Sequence, residues 1–153
     1  MVGSTVSKKV DAGQCREAIR VVLVDEREAM REGLRHMLSN DESITVVGEA
    51  RDGQEALAQA NQLSPDIILM DVGVRRMTGI ETARSLKEAR LPMSIIILAD
   101  NRKHLAPAIE AGAVGFLPRN ISRSHLISAI RIIHLWRLGL FDSSQGHFAL
   151  VKL

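Results

Sequence analysis

Three carboxylates, Asp25, Glu26 and Asp71, stand directly after apolar runs, and a cation, Arg119, stands after another. Asp25 and Glu26 follow "IRVVLV", Asp71 follows "DIILM", and Arg119 follows "VGFLP". Three carboxylates brought together cannot all stay ionised without a cation, so such a cluster calls for a hard divalent ion. Mg²⁺ prefers oxygen ligands, keeps several waters and takes only one or two carboxylates plus phosphate oxygens, which suits phosphoryl transfer. An aspartate can itself accept the phosphoryl group as an acyl phosphate when a cation neutralises the crowded oxygens. Arg119 supplies a cation for the far side of that site.

The chemistry requires elements that bring these residues to one place. Five apolar runs rich in Val and Ile, drawn at Ile19–Val24, Ile44–Ala50, Asp66–Met70, Ser94–Leu98 and Val114–Leu117, alternate with helical segments. The helices are expected near Glu28–Ser39, Gln54–Gln62, Gly79–Ala89, Leu105–Ala111 and Ser122–Leu138, with Ser122 as N-cap and Gly139 as stop. That alternation predicts βαβ units and a doubly wound parallel sheet. The first, third and fourth runs are nearly all apolar, as strands covered on both faces must be, whereas the second is mixed and suits an edge. Ligands of such sheets collect outside the carboxyl ends of the strands. The residues available there are Asp25 and Glu26, Asp71, Ala99 and Asp100, and Pro118, Arg119 and Asn120.

The totals restrict the alternatives. A chain of 153 residues with 46% hydrophobic and 25% charged residues predicts one globular domain with tails. A net charge of +2 is too small to argue for nucleic acid. Cys15 is the only cysteine, which excludes an intrachain disulfide and suits a reducing, cytoplasmic setting. The N-terminus lacks the apolar run of a signal peptide, and "LISAIRIIHLWRLGLF" is too short and too interrupted by Arg131, His134 and Arg137 to span a bilayer. No membrane association is expected. The histidines show no zinc-ligand spacing. Trp136 is expected to pack from the last helix.

The stretches "VVLVDEREAMREGLRHML", "DIILMDVGVRRMTGIE" and "AIEAGAVGFLPRNIS" resemble the three signature regions of response-regulator receiver domains, in the branch that usually precedes a LuxR/NarL-type DNA-binding domain. The resemblance runs from Ile19 to Leu138. It implies a flavodoxin-like (βα)5 fold with a five-stranded parallel sheet in the order 2-1-3-4-5. It also implies that Asp71 is the phosphoacceptor, charged by a histidine kinase or a phosphotransfer protein in two-component signalling. Asp25, Glu26, Asp71 and the backbone carbonyl of Gly73 would hold Mg²⁺. Such a domain is a signalling module rather than an enzyme, with at most self-catalysed phosphoryl transfer and dephosphorylation, and it commonly pairs with a second copy. The expected organisation is an N-terminal tail over 1–18, the receiver over 19–138 and a C-terminal tail over 139–153. That last segment is too short for a helix-turn-helix unit, so neither an output domain nor direct nucleic-acid binding is expected of this chain. Its apolar "HFALVKL" could add a strand to a neighbour or cover a helix face.

The sequence also departs from the family it resembles. Ala99 replaces the Thr or Ser whose hydroxyl would bond the phosphoryl oxygen, and Arg119 replaces a near-invariant Lys, which is not a conservative exchange. Phe116 holds the switch-aromatic position. Arg75 and Arg76 stand where Pro-Gly is usual, Thr78 where an acid is usual, and an arginine folding back onto Asp71 could imitate the neutralised, phosphorylated state. Two readings follow: a phosphoacceptor switch, or a degenerate receiver whose docking or dimerisation no longer depends on phosphate. With no hydroxyl at Ala99 to pull inward, weakened coupling from Asp71 to the face made by the fourth helix, fifth strand and fifth helix is expected. An FMN carrier is disfavoured because "VDEREAM" puts anions where a phosphate loop belongs. A metal-dependent phosphatase would space its two acids one residue apart, but Asp25 and Glu26 are adjacent.

Overall fold

A computed structural model describes residues 17–74, 77–140 and 149–150. Strands β1 (Ile19–Val24), β2 (Ile44–Ala50), β3 (Ile67–Asp71), β4 (Ser94–Ala99) and β5 (Gly115–Pro118) alternate with helices α1 (Glu28–Ser39), α2 (Gly53–Leu63), α3 (Gly79–Glu88), α4 (Leu105–Glu110) and α5 (Arg123–Arg137). A 3-10 turn, Arg102–His104, leads into α4. All neighbouring strands pair in parallel in the order 2-1-3-4-5, with the mixed β2 at one edge as its composition requires.

The expected boundaries of β1, β2 and α1 coincide with those observed. β3 begins one residue later than the apolar run suggests, at Ile67. Asp66 instead receives the Arg20 backbone N–H at 2.8 Å on one oxygen and Arg137 Nη1 at 3.0 Å on the other. The last helix starts on Ser122, whose hydroxyl accepts the His125 N–H. It stops at Gly139, whose φ of +75° is open to glycine without a Cβ penalty. There the Gly139 N–H donates to the Trp136 carbonyl and the Leu140 N–H to the Leu135 carbonyl, the paired bonds that terminate a helix in a left-handed turn.

Side-chain alternation along the strands divides the core in two. Val22, Val24, Ile68, Met70, Ile95, Ile97 and Phe116 are buried on the face covered by α2, α3 and α4. Val21, Leu23, Ile67, Leu69, Ile96, Leu98 and Leu117 are buried on the face covered by α1 and α5, against Leu34, Leu38, Leu126 and Ile130. Covering both faces explains why the central strands are continuous apolar runs. It also fixes their carboxyl ends at one rim: Val24 lies beside Met70, Asp71 beside Leu98, and Ala99 beside Pro118.

A short sixth strand, β6 (Ala149–Leu150), pairs in parallel with β5, setting Ala149 beside Gly115 and Leu150 beside Phe116. Part of "HFALVKL" thus extends this chain's own sheet at the β5 edge. Residues 1–16, including Cys15, lie outside the described residues.

Candidate functional site: an acid pair held by two arginines

The rim gathers Asp25 from the end of β1 and Asp71 from the end of β3, both buried, at 1% and 5% exposure. Burial of two carboxylates is costly without paired and hydrogen-bonded cations, and the structure supplies two. Arg119, immediately after β5, grips Asp71 with its fork: Nε lies 2.5 Å from Oδ1 and Nη2 3.0 Å from Oδ2. Its remaining nitrogen, Nη1, reaches Asp100 Oδ2 at 2.6 Å, so one guanidinium ties the ends of β3, β4 and β5 together. The hydrogen bonds that Arg119 donates to the Asp71 carboxylate raise the Arg119 pKa above its ordinary value. The Gly73 backbone N–H adds a further bond to Asp71 Oδ2 at 2.8 Å.

Asp25 is held from its own loop. Arg27 donates its backbone N–H and Nε to Oδ1 at 2.9 and 3.0 Å, and Nη2 to Oδ2 at 2.9 Å. The same Nη2 lies 3.5 Å from Asp71 Oδ1. Arg31, one turn into α1, donates Nη1 to the Asp25 backbone carbonyl at 2.7 Å. A cleft of about 440 Å³ lined by Arg27, Met30, Asp100, Pro118, Arg119 and Asn120 opens onto the rim.

Of the residues the sequence singled out, Asp25, Asp71 and Arg119 meet. Glu26 differs: its neighbour Asp25 is buried, but Glu26 itself is exposed, as adjacent residues leaving a strand on opposite sides should be. Among the described residues no three His, Cys, Asp or Glu side chains form a metal-holding group. Arg75 and Arg76 lie outside the described residues. The described arginine contacts to Asp71 come from Arg119 and Arg27. Sequence reasoning missed Arg27. Its signal was a cation two residues beyond the first strand-end acid, in the loop that the doubly wound fold places over the site.

Ala99 is fully buried, in register with Pro118, and brings no hydroxyl to the rim. Phe116 is also fully buried, packed in the same core cluster as Ala99, Ala108 and Ala111. Thr78 has a local role: it caps α3, accepting the Glu81 N–H while the Glu81 carboxylate accepts the Thr78 N–H.

A doubly wound parallel sheet in the order 2-1-3-4-5, with an aspartate pair at the rim of β1 and β3 and a cation after β5, defines a flavodoxin-like fold with an acidic rim. Comparison with known proteins identifies the family. The response regulator receiver domain family matches residues 21–131, and the chain belongs to it. The chain is 41% identical over 118 residues to the transcriptional regulatory protein YxjL of Bacillus subtilis, covering 76% of this chain and 54% of that protein. It is 40% identical over 116 residues to LiaR of Bacillus subtilis, covering 74% of this chain and 54% of LiaR. Among solved structures it is similar to the signal receiver domain of a NarL response regulator from Mycobacterium tuberculosis, at 32% identity and a TM-score of 0.74, covering 77% of this chain and 97% of that one. The chain thus spans about half the length of the curated relatives it matches. Those relatives are named as transcriptional regulators, so the expectation of no nucleic-acid contact draws no support from them. No helix among the described residues is long and apolar enough to cross a membrane.

Proposed function

We propose that this receiver domain accepts a phosphoryl group on Asp71 from a histidine kinase or phosphotransfer protein, in the cytoplasm, as the input of a two-component pathway. The observation that carries this reading is the placement of Asp71: buried at the end of β3, beside Asp25, with the Arg119 guanidinium and the Gly73 N–H already directed at its carboxylate. In the transfer, an Asp71 oxygen attacks phosphorus, the bond from phosphorus to the donor's imidazole nitrogen breaks, and an acyl phosphate forms on Asp71. Arg119 is positioned to pass from the carboxylate to the incoming phosphoryl oxygens, since a guanidinium grips either anion bidentately. The cleft lined by Arg27, Arg119 and Asn120 gives the donor its approach.

The donor set at the rim is all hard oxygen, which suits Mg²⁺. Asp25, Asp71 and the Gly73 carbonyl would hold it, with Glu26 beside them. The ion would supply charge neutralisation of the crowded oxygens during transfer.

A specific observation favours a second reading, a receiver that docks or dimerises without phosphate. Both aspartates are already neutralised by arginine forks, and buried Ala99 gives the phosphoryl group no hydroxyl to bond. Exposed Ile132, Leu135 and Leu138, on or just past α5, suit self-association in either reading. Labelling with acetyl phosphate or a phosphorylated kinase, with Asp71→Asn as control, separates the two. Label on the wild type that the variant loses supports the phosphoacceptor, and no label on either supports the phosphate-independent module.

A further inference from the structure

The chemistry of Arg27 reaches beyond neutralising Asp25. We propose that its guanidinium occupies the place between Asp25 and Asp71 that a divalent cation would take, so that metal enters only when Arg27 swings out. The proposal rests on the receiver reading of the rim. Its basis is one nitrogen shared by two carboxylates: Arg27 Nη2 stands 2.9 Å from Asp25 Oδ2 and 3.5 Å from Asp71 Oδ1. Oxygens from two aspartates that converge on one nitrogen are the oxygens that would converge on one ion. Mg²⁺ needs its oxygens at about 2.0–2.1 Å, so ion and guanidinium cannot share that gap.

Charge acts in the same direction as space. Two buried carboxylates face two guanidinium groups, and Asp25 raises the Arg27 pKa above its ordinary value through their hydrogen bond, so the cation is permanent. An ion with two further positive charges would enter a pocket whose negative charge is already balanced. The exit route is open. Arg27 is 47% exposed in its side chain, and although it is the N-cap residue of α1 its side chain makes no capping bond, so among the described residues rotation outward breaks only its contacts with the two aspartates. Asp25 keeps its backbone bonds to Ala50 and Arg31 when this happens, so the ligand stays in place.

The test is Mn²⁺ binding to the full chain, read from the electron paramagnetic resonance signal of free Mn²⁺. Arg27→Ala and Arg27→Gln should each bind about tenfold or more tightly than the wild type, since removing an opposing charge at contact distance in a partly buried site is worth at least that. Arg102→Ala, which deletes an exposed cation on the 3-10 turn after β4, should change affinity by less than about twofold because solvent screens it. Adding Asp25→Asn to Arg27→Gln should abolish the gain. The proposal is overturned if neither Arg27 variant binds more tightly, or if Arg102→Ala gains as much as they do. Melting curves on each variant show that the chain is folded, and Arg27→Gln retains most of the stem should Arg27→Ala melt early. Acetyl-phosphate labelling of the same samples keeps the two ideas apart. Absent label with the Mn²⁺ gain intact refutes the phosphoacceptor reading alone, and label without the gain refutes the role of Arg27 alone.

Discussion

Replacing Arg119 with Ala removes the fork from Asp71 and tests whether this contact holds the rim together. Asp71 has 7% of its side chain exposed and Arg119 25%, so the pair lies between a surface ion pair and a fully buried one. Exposed pairs contribute about 0–1 kcal/mol, whereas breaking a fully buried pair costs about 3–5 kcal/mol because the remaining charge is stranded. Two features reduce the cost here: the Gly73 N–H at 2.8 Å stays on Asp71, and Arg27 Nη2 is 3.5 Å away. The bond to Asp100 adds little, since that carboxylate is 67% exposed. The expected loss is about 2 kcal/mol, which for a chain of this size lowers Tm by roughly 4–8 °C. Urea unfolding followed by circular dichroism measures it, at unchanged m-value if the native state stays compact. The double variant Arg119→Ala with Asp71→Ala should cost less than the sum of the single changes by about 1 kcal/mol or more, because both remove one interaction. A single-variant loss under about 0.5 kcal/mol, or strict additivity in the double variant, would refute the reasoning that Arg119 compensates a buried Asp71.

Other outcomes follow from the same geometry. Beryllofluoride with Mg²⁺ should leave the amide resonances of Leu105–Ala113 nearly unmoved, because Ala99 has no hydroxyl to draw toward the acceptor; large shifts there would contradict weakened coupling. Gly79→Ala should destabilise by at least about 1 kcal/mol in denaturant titration despite alanine's better helix propensity. A Cβ there would lie 2.7 Å from the Asp71 carbonyl oxygen and 3.0 Å from Val72 Cα, both backbone. Ser43→Ala should cost about 1 kcal/mol at neutral pH by removing the hydroxyl bond to Asp41. That hydroxyl is the leading cause holding Asp41 below the ordinary carboxylate range, with burial opposing it and the Ser43 N–H and Arg131 assisting. A depressed carboxylate contributes stability that is present above its unfolded pKa and lost as pH falls through its folded one, so the gap between wild type and variant should close in acid. A gap that stays constant throughout the acid unfolding of both proteins would exclude this linkage.

The order of elements, the parallel sheet and the rim where acids collect were legible in the sequence because they depend on local patterning. Apolar strands covered on both faces have to be continuous runs of Val and Ile, and a strand's end is marked where a charged residue interrupts such a run, as at Asp25 and Asp71. Caps were equally local: Ser122 and Gly139 satisfy the ends of α5 using residues within a turn. Where one side chain answered to a distant partner, the sequence was silent. β3 lost Asp66 to bonds with Arg20 and Arg137.

The same division runs through the site. The residue types and their strand ends were set by the sequence, but which carboxylate takes which cation was decided by the tertiary structure. Asp71 and Arg119 are far apart in the chain and meet only because β4 separates their strands by one position in the sheet. Arg27 reads as an ordinary loop cation until β3 brings Asp71 within reach of the nitrogen that already holds Asp25. Charge pairing depends on distance in space and on burial, and neither is a property of neighbouring positions in a chain.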